Sequence, residues 1–328
     1  MKISSAFASS LEAPAHIAAA ERLGYARAWL YDTPHQSPDV WMLLALAAQR
    51  TERIGLGPGV LVPSLRHPMV NAAGAAGLAA LAPGRVAVAF GSGFTSARAM
   101  GTKPSTWAFL REYIAAFRGL LAGETVEWQG ARIRMMHPSG HAPHRPIRIP
   151  IAVSATGPKG LGVARELGDG LFSVNEETAG ARDFPWAALT VHGTVLAEGE
   201  ALDSPHVMAA AGPGNALAYH FLHEAGADVR ELPGGEQWLA VIERTDPQQR
   251  HLAIHEQHLV GLNEADRAAW DAGSWESVPR TTFTGTPEQL RTRLAELVKA
   301  GVTELIYQPT GPDIPAELKA FLKVAATV

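Results

Sequence analysis

Short apolar runs alternate with longer amphipathic stretches along most of this chain. Lys2 to Ala8 reads as a strand, and Glu12 to Leu23 carries apolar residues at helical spacing, closed by Gly24 as C-cap. Ala26 to Tyr31 is a second strand, Val40 to Arg50 a helix, Ile54 to Leu61 a third strand. Met69 to Leu81 is helical again and stops at Pro83-Gly84. Arg85 to Gly93 is a fully apolar fourth strand that opens into a glycine turn; Trp107 to Leu121 is a long amphipathic helix. Thr125 to Met136 fits a two-stranded excursion turning at Gln129-Gly130. Ile149 to Ala155 and Gly170 to Val174 are strands five and six, with the helix Pro158 to Leu167 between them. Strand seven has two candidates, Leu189 to Leu196 or Val207 to Ala211. Glu288 to Ala300 is a helix and Thr303 to Gln308 the last strand.

Strands that are apolar on both faces and alternate with helices indicate a parallel sheet covered by helices. Roughly eight such units fit an α/β fold of the (β/α)₈ TIM-barrel type better than an open sheet. The interval from about Gly212 to Pro279 departs from the pattern, with several helical stretches and a Pro-Gly-Gly turn. It reads as an insertion at the barrel mouth within one domain spanning 1–328.

Composition narrows the chemistry. Of 328 residues, 47% are hydrophobic and 18% charged, enough for a large core, and the net charge of −4 comes with no basic block. Nothing points to nucleic acid or to an anionic membrane surface. With no cysteine, thiol catalysis, disulfides and thiolate metal sites are excluded. The first residues lack the apolar core of a signal peptide and no apolar run is long enough to span a membrane, so a cytoplasmic location is expected.

In a barrel the chemistry sits where strands end. Those ends are Asp32-Thr33-Pro34-His35, Gly59-Val60, Gly91-Ser92-Gly93-Phe94, Ser154 to Pro158, and Gln308 to Gly311. Three are glycine-rich and open onto helix starts, where backbone N–H groups can hold an anion. No phosphate-binding Walker loop or dinucleotide fingerprint is present. The site therefore suits a flat ligand bearing phosphate.

The successive motifs AERLGYARAWLYD, TERIGLGPGVLVPSLRHP, LAPGRVAVAFGSGF and IPIAVSATGPKGLGVARELGDGLF resemble the bacterial-luciferase-like superfamily, whose TIM barrels use FMN or the deazaflavin F420. The LGPGV…RHP form is most similar to the F420-dependent branch typified by methylenetetrahydromethanopterin reductase. The resemblance implies that Asp32 lies beside the cofactor ring and that Gly59-Val60 forms a non-prolyl cis peptide backing it. It implies that Gly91 and Gly93 let backbone approach the cofactor. It further implies that Ala155, Thr156, Gly157 and Pro158 hold the phosphate, with Lys159 a further charge. Two departures matter: Thr33 stands where some F420 enzymes of the family carry histidine, leaving His35 the nearest replacement. Phe94 stands where some carry glutamate. The family's proton donor is therefore not transferable, and sugar-phosphate dehydrogenation is disfavoured.

The implied activity is hydride transfer between F420 and a small organic substrate, with Asp32 and His35 as catalytic candidates. Phe94, His255 and His258 are the candidate substrate contacts. The alternative is an FMN-dependent monooxygenase using O₂ and fed by a flavin reductase; a non-catalytic flavin-binding barrel is a further one. A cofactor-free lyase would need a Schiff-base lysine or paired carboxylates at strand ends, where Lys159 alone stands. Asp32 could instead cap the turn before Pro34. His251, His255 and His258 share helical spacing, but a metal site needs a third ligand and supporting partners, so none is expected. Arg98 and Lys103 could meet an anionic cofactor tail or stay solvated. Family members imply a homodimer or homotetramer, with the N-terminal helices as the first place for an interface.

Overall fold

The structure, a computed structural model, describes residues 1–174 and 178–327. Among the described residues ten strands run in chain order: β1 (Lys2–Phe7), β2 (Arg27–Leu30), β3 (Gly55–Leu61), β4 (Val88–Phe90), β5 (Val126–Trp128), β6 (Ala131–Ile133), β7 (Ile151–Ser154), β8 (Gly170–Val174), β9 (Ala187–His192) and β10 (Glu304–Gln308). Eight of them close a parallel barrel in the order β1-β10-β9-β8-β7-β4-β3-β2, and β5 pairs with β6 as an antiparallel hairpin. Gln129 and Gly130 both adopt positive φ (49° and 80°), the requirement of a two-residue hairpin turn whose twist matches its strands.

The barrel helices are α1 (Ala13–Leu23), α2 (Val40–Ala48), α3 (Pro68–Leu81), α4 (Phe94–Ala99), α5 (Trp107–Ala122) and α6 (Pro158–Leu167). After β9 come α7 (Pro205–Glu224), α8 (Gly235–Arg244), α9 (Arg250–His255), α10 (Glu264–Asp271) and α11 (Val278–Thr281); then α12 (Pro287–Ala300) leads to β10 and α13 (Ile314–Ala325) closes the wall. No helix among the described residues is long and apolar enough to cross a membrane.

Strand seven is the Leu189 candidate, here β9, whereas Val207–Ala211 belongs to α7. The reason is local: Ser204 accepts from Val207 N as N-cap, Pro205 stands in the first turn, and the alanines that follow are the strongest helix formers. Gly212 accordingly lies inside a helix that begins seven residues earlier. β4 is shorter than the apolar run from Arg85: the run's first residues meet β3 only through an isolated bridge, Leu56 to Val86, and the register shifts again between Gly59 and Leu61. Leu56 still bonds Arg85 O and Ala87 N on that run.

Two apolar layers hold the barrel. Between strands and helices lies the main core, including Leu30, Leu43, Phe90, Phe117, Leu305 and Phe321. Inside, Trp29 packs edge-on to Phe172 and stacks with Trp186 among the alanines of neighbouring strands. Glu304, buried at the start of β10, accepts from Trp29 Nε1 (3.2 Å) and Trp186 Nε1 (2.8 Å), with Arg27 Nε 3.7 Å away. This charged plug closes the N-terminal end, leaving the other end for function.

Helices α7 to α10 build a further core around Tyr219, Trp238 and Ile242. Pro213 sits inside α7, where its ring removes the N–H that would bond Ala209 O. Thr310, just beyond β10, supplies the replacement: its hydroxyl donates towards Ala209 O (3.2 Å) and Ala210 O (2.8 Å). Gln36 Nε2 donates to His258 O and Gln308 Nε2 to Leu259 O. These bonds run between the strand ends and the extra helices.

Candidate active site at the barrel mouth

Side chains two residues apart on a strand share a face. Trp29 and Ile306 point inward, so Tyr31, Glu304 and Gln308 do as well; Ala188 puts Thr190 and His192 on the inner wall by the same count. Several of these carry a buried polar atom without a partner: Tyr31 OH, Thr190 Oγ1, His192 Nδ1 and Gln308 Oε1. Burial holds the Tyr31 phenol protonated, well above its ordinary range, and pushes the His192 imidazole down to about 4. Buried polar atoms are seldom left unbonded. A wall of them fits a ligand with a hydrogen-bonding edge.

The peptide between Gly59 and Val60 is cis, and Val60 packs onto the inner apolar layer. Gly91 and Gly93 lie against it across the β3–β4 boundary. A Cβ on Gly91 would stand 2.7 Å from Val60 Cγ2, and one on Gly93 would stand 2.2 Å from Val62 Cγ1. Gly93 also needs φ of 76°. The space these glycines leave is therefore filled by the side chains of Val60 and of Val62, just past β3. Ala155 is buried under the start of α6, whereas Thr156, Gly157, Pro158 and Lys159 are exposed. Gly157 is the N-cap of α6, with open space where a Cβ would be and no side-chain cap on the first turn. The free N–H groups of Lys159 and Gly160 there are an anion site in waiting.

Asp32 is buried and committed. Arg66 Nη1 donates to both its oxygens (2.7 and 2.6 Å), and Arg66 Nη2 reaches Asp39 Oδ2 at 2.8 Å. Asp39 in turn caps α2 through Trp41 N. Burial raises the Asp32 carboxyl, with Arg66 opposing, while Arg66 is itself held above its ordinary range by the two carboxylates. Because a guanidinium stays protonated, the contact is an ion pair at neutral pH. Asp32 does not cap the turn before Pro34; Thr33 O closes that turn by accepting from Gln36 N and Ser37 N. Arg66 was legible only as part of SLRHP, since no local spacing pairs positions 34 apart.

His35 is exposed and lines a cavity of about 490 Å³ together with Gln36, Leu252 and His255. This cavity does not border Val60 or Thr156. Burial lowers the His35 imidazole, and His255 lowers it further. Phe94 packs on Phe221 of α7 and carries Arg98 over its ring. Arg98 also reaches Glu224 Oε2 at 3.3 Å, so its partner is protein. His255 and His258 come together, but not on one helix: α9 ends at His255 and His258 lies in the turn beyond. The third ring beside them is His220 of α7, which sequence spacing could not supply. Its signal is the run YHFLHE, where His220 and Glu224 are one helical turn apart.

The family model described as luciferase-like monooxygenase matches residues 8–304. The chain is 27% identical over 313 residues to the 5,10-methylenetetrahydromethanopterin reductase of Archaeoglobus fulgidus, covering 91% of this chain and 90% of the relative. Over 152 residues, 43% of this chain and 44% of the relative, it is 37% identical to the F420-dependent glucose-6-phosphate dehydrogenase of Beutenbergia cavernae. The solved coenzyme F420-dependent tetrahydromethanopterin reductase of Methanopyrus kandleri superposes with a TM-score of 0.66 at 22% identity, covering 98% of this chain and 97% of that one. At that identity the likeness speaks for the barrel fold. The chain belongs to the luciferase-like monooxygenase family.

Proposed function

We propose that this chain is an oxidoreductase that binds F420 at the barrel mouth and passes a hydride between it and a small organic substrate. The observation that carries the reading is the match along nine-tenths of both chains to the Archaeoglobus reductase. The residues present fit such a cofactor. Val60 would back the ring, and the unpartnered Tyr31 OH, His192 Nδ1 and Gln308 Oε1 on the inner wall would bond its edge. Thr156 and the N-terminus of α6 would hold its phosphate, with Lys159 beside it. Bound there, F420 supplies the two-electron hydride carrier.

The remaining work falls to the protein. Asp32, fixed by Arg66, keeps β2 and β3 in place and is poorly suited to shuttle protons. His35 is the exposed candidate for that role: burial lowers its imidazole, and it borders the neighbouring cavity lined by His255 and Leu252. Phe94, held by Phe221, would wall that side. A second reading, an FMN-dependent monooxygenase supplied by a separate flavin reductase, is favoured by the family description itself. We also propose assembly as a homodimer or larger, through α2.

Titration of the purified protein with F420 and with FMN, followed by fluorescence, separates the readings. Tight F420 binding with weak FMN binding is the expected result. Preference for FMN would install the oxygenase reading, and no binding of either below the millimolar range would remove both.

A further inference from the structure

We propose that His220, His255 and His258 form a binding site for a divalent first-row transition-metal ion of the zinc class, joining α7 to the turn after α9 above the barrel mouth. The three rings are buried, and each offers a nitrogen such that all three lie within 4.8 Å of one another. His220 Nδ1 and His258 Nδ1 are 3.0 Å apart. A tetrahedral ion with nitrogens at roughly 2.0–2.1 Å holds them about 3.3 Å apart, close to the spacing of this pair.

The outer partners orient the lone pairs. His220 Nε2 lies 2.9 Å from Asp266 Oδ1, which also accepts from Trp238 Nε1 (2.9 Å). His255 Nε2 lies 2.5 Å from Glu224 Oε1. An ionised carboxylate can only accept, so both Nε2 atoms carry the proton and both Nδ1 atoms carry lone pairs. That carboxylate–histidine arrangement is how proteins fix the tautomer of a metal-bound imidazole. His255 Nδ1 is buried without any partner. A trio joined only by hydrogen bonds would leave it without a donor; an ion supplies the missing acceptor of its electrons. His258 then adopts the tautomer with bare Nδ1 and becomes the third ligand.

The scaffold holds this third ligand. The carbonyls of His258 and its neighbour Leu259 are tied to Gln36 and Gln308 on the barrel. Entry is available from the side, because His255 also borders the 490 Å³ cavity shared with His35. Water from that cavity would complete four ligands. Three imidazoles and no thiolate suit zinc, with cobalt, nickel and copper as competitors. The site stands independently of the F420 reading.

The test uses the full chain, stripped with a chelator. Zn²⁺ is titrated in competition with a chromophoric chelator, and Co²⁺ is added separately to record its visible absorption. The expected result is about one ion per chain with the intense bands of tetrahedral Co²⁺, bleached by Zn²⁺. His255→Ala abolishes both signals, and Glu224→Gln weakens Zn²⁺ by roughly 10–100-fold while leaving the ligands in place. His251→Ala, on α9 but outside the trio, leaves both unchanged. A wild-type protein that stays colourless with Co²⁺ and takes up no Zn²⁺ overturns the proposal, as does equal affinity in wild type and Glu224→Gln. Should His255→Ala fail to fold, the wild-type spectrum and Glu224→Gln decide the matter.

Discussion

His192 shows what one side chain at a strand end does to the molecule as a whole. It closes β9, is covered by Gly214 of α7, and has a buried Nδ1 with no partner. Burial lowers its pKa from 6.5 to about 4. Between those values the unfolded chain binds a proton here that the folded chain refuses. Stability from this residue is therefore present above pH 6.5 and lost as pH falls towards 4. The linkage amounts to about 3 kcal/mol. Urea unfolding across that range should show the loss in the wild type and a shallower one in His192→Asn. Parallel slopes for the two proteins would mean that His192 is hydrated in the folded state. Nothing in the sequence marked this histidine, since its burial depends on a glycine 22 positions later on another element.

At the scale of elements, the Arg66 bridge decides how β2 and β3 meet. The residue lies beyond β3, yet its guanidinium holds Asp32 after β2 and Asp39 at the start of α2. Tyr113 OH donates to the Arg66 carbonyl and Asn71 to that hydroxyl, bringing α3 and α5 into the same network. Removing the guanidinium strands a carboxylate whose side chain is 1% exposed. Arg66→Ala is expected to cost roughly 3–5 kcal/mol, read from the urea midpoint, and pairing it with Asp32→Asn should recover much of that. A cost under about 1 kcal/mol would place the pair with ordinary surface bridges. Element order was legible wherever apolar periodicity and caps agree, as along β1 to β4 and at α12, whose Thr286–Gln289 capping box the structure contains. It failed where tertiary contacts decide. α4 begins at a left-handed glycine with no side-chain cap, and α7 runs through Pro213 because Thr310 replaces the lost bond.

For the whole molecule, the barrel could be read from alternation alone, and the strand-end motifs located the mouth. The relation between the mouth and the helices after β9 could not be read, because Gln36, Gln308 and Thr310 meet their partners across 49 to 222 positions. Assembly is the remaining question at this scale, and α2 is where it can be argued. Its inner face, Leu43, Leu44 and Ala47, is buried, whereas Met42 and Leu46, one turn apart, are 66% and 48% exposed. Val70 on the adjacent α3 is 54% exposed. Helix rows of this kind are polar when they face water, and a contiguous apolar patch marks a contact surface. If two copies bury it, introducing charge there should separate them without touching the barrel core. Sedimentation of the wild type is expected to give a dimer or larger, and Met42→Glu with Leu46→Glu to give a monomer with an unchanged unfolding midpoint per chain. A wild type that already sediments as a monomer would remove α2 as an interface, and a double variant that keeps the wild-type assembly would move the interface to another face.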